Sequence, residues 1–105
     1  YVKGWKRLRE LRAGYAAKTA GYDAVIMPSS PILPPNVERL ASDHDYYVSE
    51  NLRTLRNTRI GNLMGLTAMT LPTDVPSCGI MLCGAAGQDS RLLRVGAGVE
   101  AALAE

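Results

Sequence analysis

Val2, Trp5, Leu8, Leu11 and Tyr15 recur at steps of three and four, which predicts an opening helix with one apolar face. Gly21 is the expected residue at its C-cap. Gly4 and Gly14 each weaken such a helix by up to about 1 kcal/mol relative to Ala, so packing of the Trp5 face is expected to compensate. The pattern then changes. Asp23–Pro28 (DAVIMP) is a short, nearly continuous apolar run, the mark of a strand buried on both sides. Prolines 28, 31, 34 and 35 disfavour helical geometry before them and keep SSPILPP extended. Ser29–Pro35 is therefore a loop leaving the strand's C-terminal end, a place where ligands of α/β sheets often bind.

Asn36–Ala41 fits one helical turn, and Ser42 with Asp45 gives a capping signal for the next helix. That helix is expected over Tyr46–Met64, with Val48, Leu52 and Leu55 inward and Ile60, Leu63 and Met64 continuing the apolar surface. Gly65 stops it. Thr67–Leu71 reads as a second strand closed by Pro72, Thr73–Ser77 as a turn, and Cys78–Cys83 as a third strand. After a loop over Gly84–Gly87, Gln88–Ala104 forms the last helix, with Leu92, Val99 and Leu103 inward and Gly96 and Gly98 suited to close packing on a sheet. The order α-β-α-β-β-α defines an α/β fold with a small three-stranded mixed sheet packed by helices. Strands one and two are expected parallel through a right-handed crossover, and strands two and three antiparallel across their short turn. Such a sheet has unprotected edges, so homo-oligomerisation through an edge or an apolar face is expected.

A length of 105 residues allows one small domain or a piece of a larger one. An apolar share of 47% is enough for a core, and with no Phe and one Trp that core must be aliphatic residues and Met. The net charge of +2 is unevenly spread: residues 1–18 hold six cations against Glu10, leaving the remainder acidic. A basic stretch raises nucleic acid as a partner. Single-stranded nucleic acid calls for stacking aromatics among the charges, whereas Trp5 and Tyr15 fit a buried face, so a solvated helix face is the reading. No apolar signal region follows the basic start, and no apolar run is long enough to span a bilayer. The odd spacing of Cys78 and Cys83 sends them to opposite faces of one strand, which opposes both a disulfide and shared metal ligation. Reduced thiols and a cytoplasmic setting follow, with no metal or cofactor expected. The first residue is Tyr1 and the last stretch is still helical in composition, so both ends read as cuts or as processed ends.

Three segments taken together, YDAVIMPSSP at 22–31, NTRIGNLMGL with the later Leu-Pro at 57–72, and GIMLCG followed by QDSRLL at 79–93, resemble the C-terminal end of amidase-signature hydrolases. The resemblance implies a mixed α/β core, a contribution to one wall of a substrate cavity, and a parent enzyme that cleaves amide bonds with a Ser–Ser–Lys triad. The triad and its Gly/Ser-rich loop belong to an earlier part of that family's chain, and nothing here matches them. This chain alone is thus expected to be catalytically silent, and an N-terminal amidase portion is its missing partner if it is a fragment. The likeness is incomplete in detail: Thr67 stands where many relatives have Pro, Asp74-Val75-Pro76 where Gly-Leu-Pro is frequent, and Met81 where Gln is usual.

Ser29-Ser30 is a tempting nucleophile pair, but Pro28 and Pro31 flank it without N–H donors for an oxyanion, and no lysine lies nearby. A turn after a strand accounts for it. His44, between Asp43 and Asp45, has the neighbours of an imidazole base but no nucleophile, and reads as an exposed helix start. Gly96-Ala97-Gly98 lacks the third glycine and the strand-to-helix position of a dinucleotide loop. Thr58 and Asn62 share a helical face while Asn57 points elsewhere. In the amidase-like frame Thr58 and Asn62 are scaffolding or cavity-wall candidates that hydrogen-bond loop backbone and hold the sheet's end. No catalytic, metal or cofactor residue is named within this chain. The competing expectation is a free-standing oligomeric interaction or small-ligand-binding module.

Overall fold

The computed structural model describes all residues, Tyr1–Glu105. Its elements run α1 (Val2–Thr19), β1 (Val25–Pro28), α2 (Val37–Ser42), α3 (His44–Thr54), α4 (Arg56–Met64), β2 (Thr67–Pro72), β3 (Gly79–Gly84) and α5 (Asp89–Leu103). The α/β class and the three strands are as the pattern predicts. The sheet is antiparallel throughout, not mixed, because β3 lies between the other two in the order β1-β3-β2. β1 and β2 therefore run in the same direction, as a crossover requires, but share no hydrogen bonds. β1 is consequently an edge strand bonded on one side only, and Ile26 within its apolar run is 64% exposed. Pro28 is tolerated there because an edge strand need not donate on both sides.

Register sorts the side chains onto two faces. Ile26, Leu82 and Met69 align on one; Met27, Met81 and Thr70 align on the other. α5 lies on the first face, where Leu71, Leu82 and Leu92 form the buried core, flanked by Met69, Ile80, Val95 and Val99. Gly96 is what lets the helix come so close. A Cβ there would run into the Met69 side chain, whereas one at Gly98 would meet open space. Leu103, expected inward, lies outside this cluster at the helix end and is largely exposed.

The remaining helices form a second group, with α1 against α4, α3 against α4, and α2 against α3. Asn36 caps α2 through Oδ1 to the Arg39 N–H. The cap of α3 is Asp43, one residue beyond the expected Ser42: its Oδ1 accepts from the Tyr46 N–H at 3.0 Å. That backbone hydrogen bond, helped by Arg39, holds the Asp43 carboxyl below its ordinary value. The single helix expected over Tyr46–Met64 is broken at Leu55. Here the backbone of Leu55 leaves helical geometry at φ −91° and ψ 1°, and the Thr54 carbonyl accepts from Ser30 Oγ.

Gly65 ends α4 as expected, at φ 68°, with Gly65 N–H to Asn62 O and Leu66 N–H to Gly61 O completing a Schellman cap. Gly21 plays no such part: the first helix closes at Ala20 in ordinary helical geometry.

The expected inward faces of this group are largely open. Val48, Leu52 and Leu55 are 41–50% exposed, and Trp5 and Leu11 likewise, because these helices pack chiefly on one another and not on the sheet. The side of α1 that is sheltered carries Leu8, Arg12, Tyr15 and Thr19. The outcome is a plate of 48 × 45 × 18 Å with a radius of gyration of 16.3 Å, against about 13 Å for a compact domain of this length. Its accessible surface of 7688 Å² exceeds the roughly 5,700 Å² expected for a folded monomer of this mass.

Candidate functional site

The loop after β1 is tied down by its own serines. Ser29 Oγ meets Thr70 Oγ1 at 3.1 Å and the Ser29 N–H donates to Gly79 O, while Ser30 Oγ donates to the Thr54 carbonyl. Gly79 is required at this crossing, since a Cβ would sit 2.9 Å from Ser29 Oγ. Both hydroxyls thus make structural bonds and no lysine accompanies them, which agrees with a turn.

His44 is exposed at the start of α3. Cys78 is exposed and Cys83 is buried, both free thiols, and burial pushes the Cys83 thiol up. No group of three or more His, Cys, Asp or Glu side chains converges as metal ligands would. No helix is long and apolar enough to cross a membrane.

Thr58 and Asn62 lie on the exposed side of α4, Thr58 donating within its own helix to Leu55 O. Asn57 is the residue of this trio that reaches the sheet. Its Nδ2 donates to Pro28 O at 2.9 Å and so pins the end of β1 to the helical group. Asn57 is set apart from Thr58 and Asn62 by helical phase, and that same phase is what turns it toward β1.

Two concavities flank β1. One, of about 460 Å³, lies beyond its C-terminal end, where Ile26, Pro31, Ile32 and Leu33 face Thr73 and Cys78. It presents hydrocarbon, and its one titratable group is the Cys78 thiol. The other, of about 490 Å³, opens at the opposite end, where α1, the start of β1, the end of β3 and the start of α5 meet. Ala16, Val25, Leu66 and Leu92 supply apolar walls.

Three polar groups of this cleft stand out. Arg12 donates Nε to Leu63 O at 2.7 Å, placing a cation at the C-terminal end of α4 where the helix dipole favours it. Tyr15, one turn along the same face, has a buried hydroxyl with no hydrogen-bond partner. Burial, and secondarily the neighbouring Cys83, pushes this phenol up. At the rim Arg91 pairs with Asp23, so that carboxylate is neutralised. The cleft thus has largely apolar walls, with Arg12 on one side, the Arg91–Asp23 pair at the rim, and the Tyr15 hydroxyl sealed behind them.

Arg12 and Tyr15 are absent from the candidates that the sequence supplies. The available signal is an arginine lying on the helical face that carries Leu8 and Tyr15, where an apolar residue is the rule.

No protein-family model matches the chain, and no solved structure does. The chain is similar to 2-amino-5-chloromuconic acid deaminase of Comamonas testosteroni, with 28% identity over 109 residues. The similarity covers 100% of this chain and 23% of that protein, so the chain spans less than a quarter of the relative's length. A match complete on one side and partial on the other fits a segment of a longer protein.

Proposed function

We propose that this chain is the C-terminal segment of an amidase-signature hydrolase, an enzyme of carbon–nitrogen bonds, and is catalytically silent alone. The supporting observation is the similarity, along its whole length, to a deaminase several times longer. The plate-like shape agrees: β1 is an apolar strand left half bare on an open edge, the form of an element awaiting a further layer. The chain's serines are engaged in loop bonds without a lysine beside them, so the triad has to come from elsewhere. Within the parent, Thr58 and Asn62 belong to the scaffold around the sheet's end beside Asn57, and the missing N-terminal portion is the partner. The test is turnover. Purified 105-residue chain is expected to release no ammonia from simple aliphatic or aromatic amides, and release that survives repurification sinks the idea of silence. The upstream reading frame is expected to run in phase and to encode a lysine and a Gly/Ser-rich loop.

A second reading, a free-standing oligomeric module, is favoured by the surplus surface. The excess over a compact monomer is on the order of 2,000 Å², more than the roughly 800 Å² each partner contributes to a standard interface. A dimer that resists dilution in light scattering selects this reading. A dilution-sensitive or monomeric chain selects the first.

A further inference from the structure

We propose that the trough on the α5 side of β1 receives an apolar helix from the remainder of the parent polypeptide, packed over Ile26 and against Gly98 and Ala102 of α5. The inference rests on the reading of the chain as a segment of a longer hydrolase, and it names the face by which that segment joins the rest. Strands lie about 4.8 Å apart and a helix is about 10 Å across, so one helix covers about two strands. α5 packs on β2 and β3. β1 is the third strand, and Ile26, its largest side chain on that face, is 64% exposed. Leu33 beyond it is open as well, and with Ile80 these two line the concavity of about 460 Å³. The walls are mostly hydrocarbon, so the surface that fills them is apolar.

The first turn of α5 shows which of its flanks looks over this trough: Arg91 reaches Asp23, just ahead of β1. Gly98 and Ala102 share the helical face of Arg91, which puts both on the β1 side. Both are exposed, and a Cβ at Gly98 would meet open space. Small residues there let a second helix come close, as Gly96 lets α5 approach Met69. A strand is the other element that could cover β1, and the edge admits little of one. The Ser29 N–H donates to Gly79 O, so by antiparallel alternation Met27 and Val25 also turn their groups toward β3. Ala24, Ile26 and Pro28 face outward. Pro28 has no N–H, and its carbonyl already accepts from Asn57, so pairing past Ile26 is closed. Length supplies the occupant: the chain matches 23% of its relative, which leaves more than three quarters of a parent of that size to provide a helix.

The test compares the 105-residue chain with the longer protein read from the in-phase upstream frame, by carbene footprinting of side chains and by thermal unfolding. Ile26 is expected to be labelled roughly tenfold less in the longer protein, the fall from 64% exposure to that of Leu71 at 5%. Leu33 is expected to follow it. Gly98→Leu is expected to raise the melting temperature of the 105-residue chain, since Leu favours a helix over Gly. The same change is expected to lower that of the longer protein, where it wedges two packed helices apart. Equal labelling of Ile26 in both proteins, or a Gly98→Leu change that raises both melting temperatures, overturns this inference and leaves the parent reading standing. Ile26 shielded in the 105-residue chain and released on dilution assigns the trough to a second copy and overturns it too. An upstream frame with no in-phase extension overturns both the inference and the parent reading.

Discussion

The sheet with α5 and the group α1–α4 are built from similar numbers of apolar residues, yet they differ sharply in what they bury. Seven of the nine buried residues, from Leu71 to Gly96, belong to the first; the second contributes only Glu50 and Gly61. The cause lies in connection. β2, β3 and α5 follow one another across short turns, so their apolar faces meet as a local consequence of the chain path. The helical group meets the sheet's other face over a small area, where Met81 and Cys83 are buried. Polar bonds such as Asn57 to Pro28 O and Ser30 to Thr54 O tie it there, while most of its own apolar positions stay open. Hydrogen bonds of this kind contribute about 1 kcal/mol each, whereas a buried Leu contributes about twice that. A molecule can thus have a defined architecture over all its length and a real core over only part of it.

The contrast breaks most readily at Leu82, the one fully buried large side chain. Leu82→Ala is expected to cost about 2–5 kcal/mol in urea unfolding. Leu52→Ala, at a half-exposed position of α3, is expected to cost well under 1 kcal/mol. Equal losses would show that the helical stripe is covered in solution, by a second copy or by a rearranged α1.

A smaller effect sharpens the picture within α5 itself. Gly96→Ala is expected to destabilise by about 1–3 kcal/mol as the helix is pushed off Met69. Gly98→Ala, facing open space, is expected to stabilise by up to about 1 kcal/mol through helix propensity. Thermal melts of the two variants should move in opposite directions.

The smallest effect belongs to the helical group. Because the folded Asp43 carboxyl is held below its ordinary value, its contribution is present above the ordinary aspartate range and is lost as pH falls through the depressed value. Asp43→Asn keeps a capping oxygen and removes the titration. Circular dichroism should therefore find α3 less sensitive to acid in the variant, with little change at neutral pH.

Local signals were legible where the chemistry is local. Gly65 as a stop, the turn at Thr73–Ser77 and the Gly96 approach all follow from one residue's backbone or missing side chain. Periodicity also placed α1, α5 and the strands to within a few residues. What it could not reveal was which apolar faces find a partner. Val48, Leu52, Leu55, Trp5 and Leu11 repeat as core positions do, but burial depends on what the tertiary path lays against them. The strand order escaped for a related reason: an apolar run such as DAVIMP is read as central, and only the pairing decides that β3 takes the middle. The cleft was hidden because Arg12 and Tyr15 gain meaning from Leu63 and Cys83, far away in sequence.

The central position of β3 has a consequence for how the molecule comes into being. During synthesis β1 emerges first but finds no strand to pair with until Gly79–Gly84 has been made, with four elements of chain in between. The β2–β3 hairpin closes across a short turn and pays little loop entropy; recruiting β1 must close a far longer loop and comes later. Until then a greasy ribbon waits in the open, and the interval before β3 arrives is when ribosome-bound chains are most exposed to clumping or to rescue by chaperones.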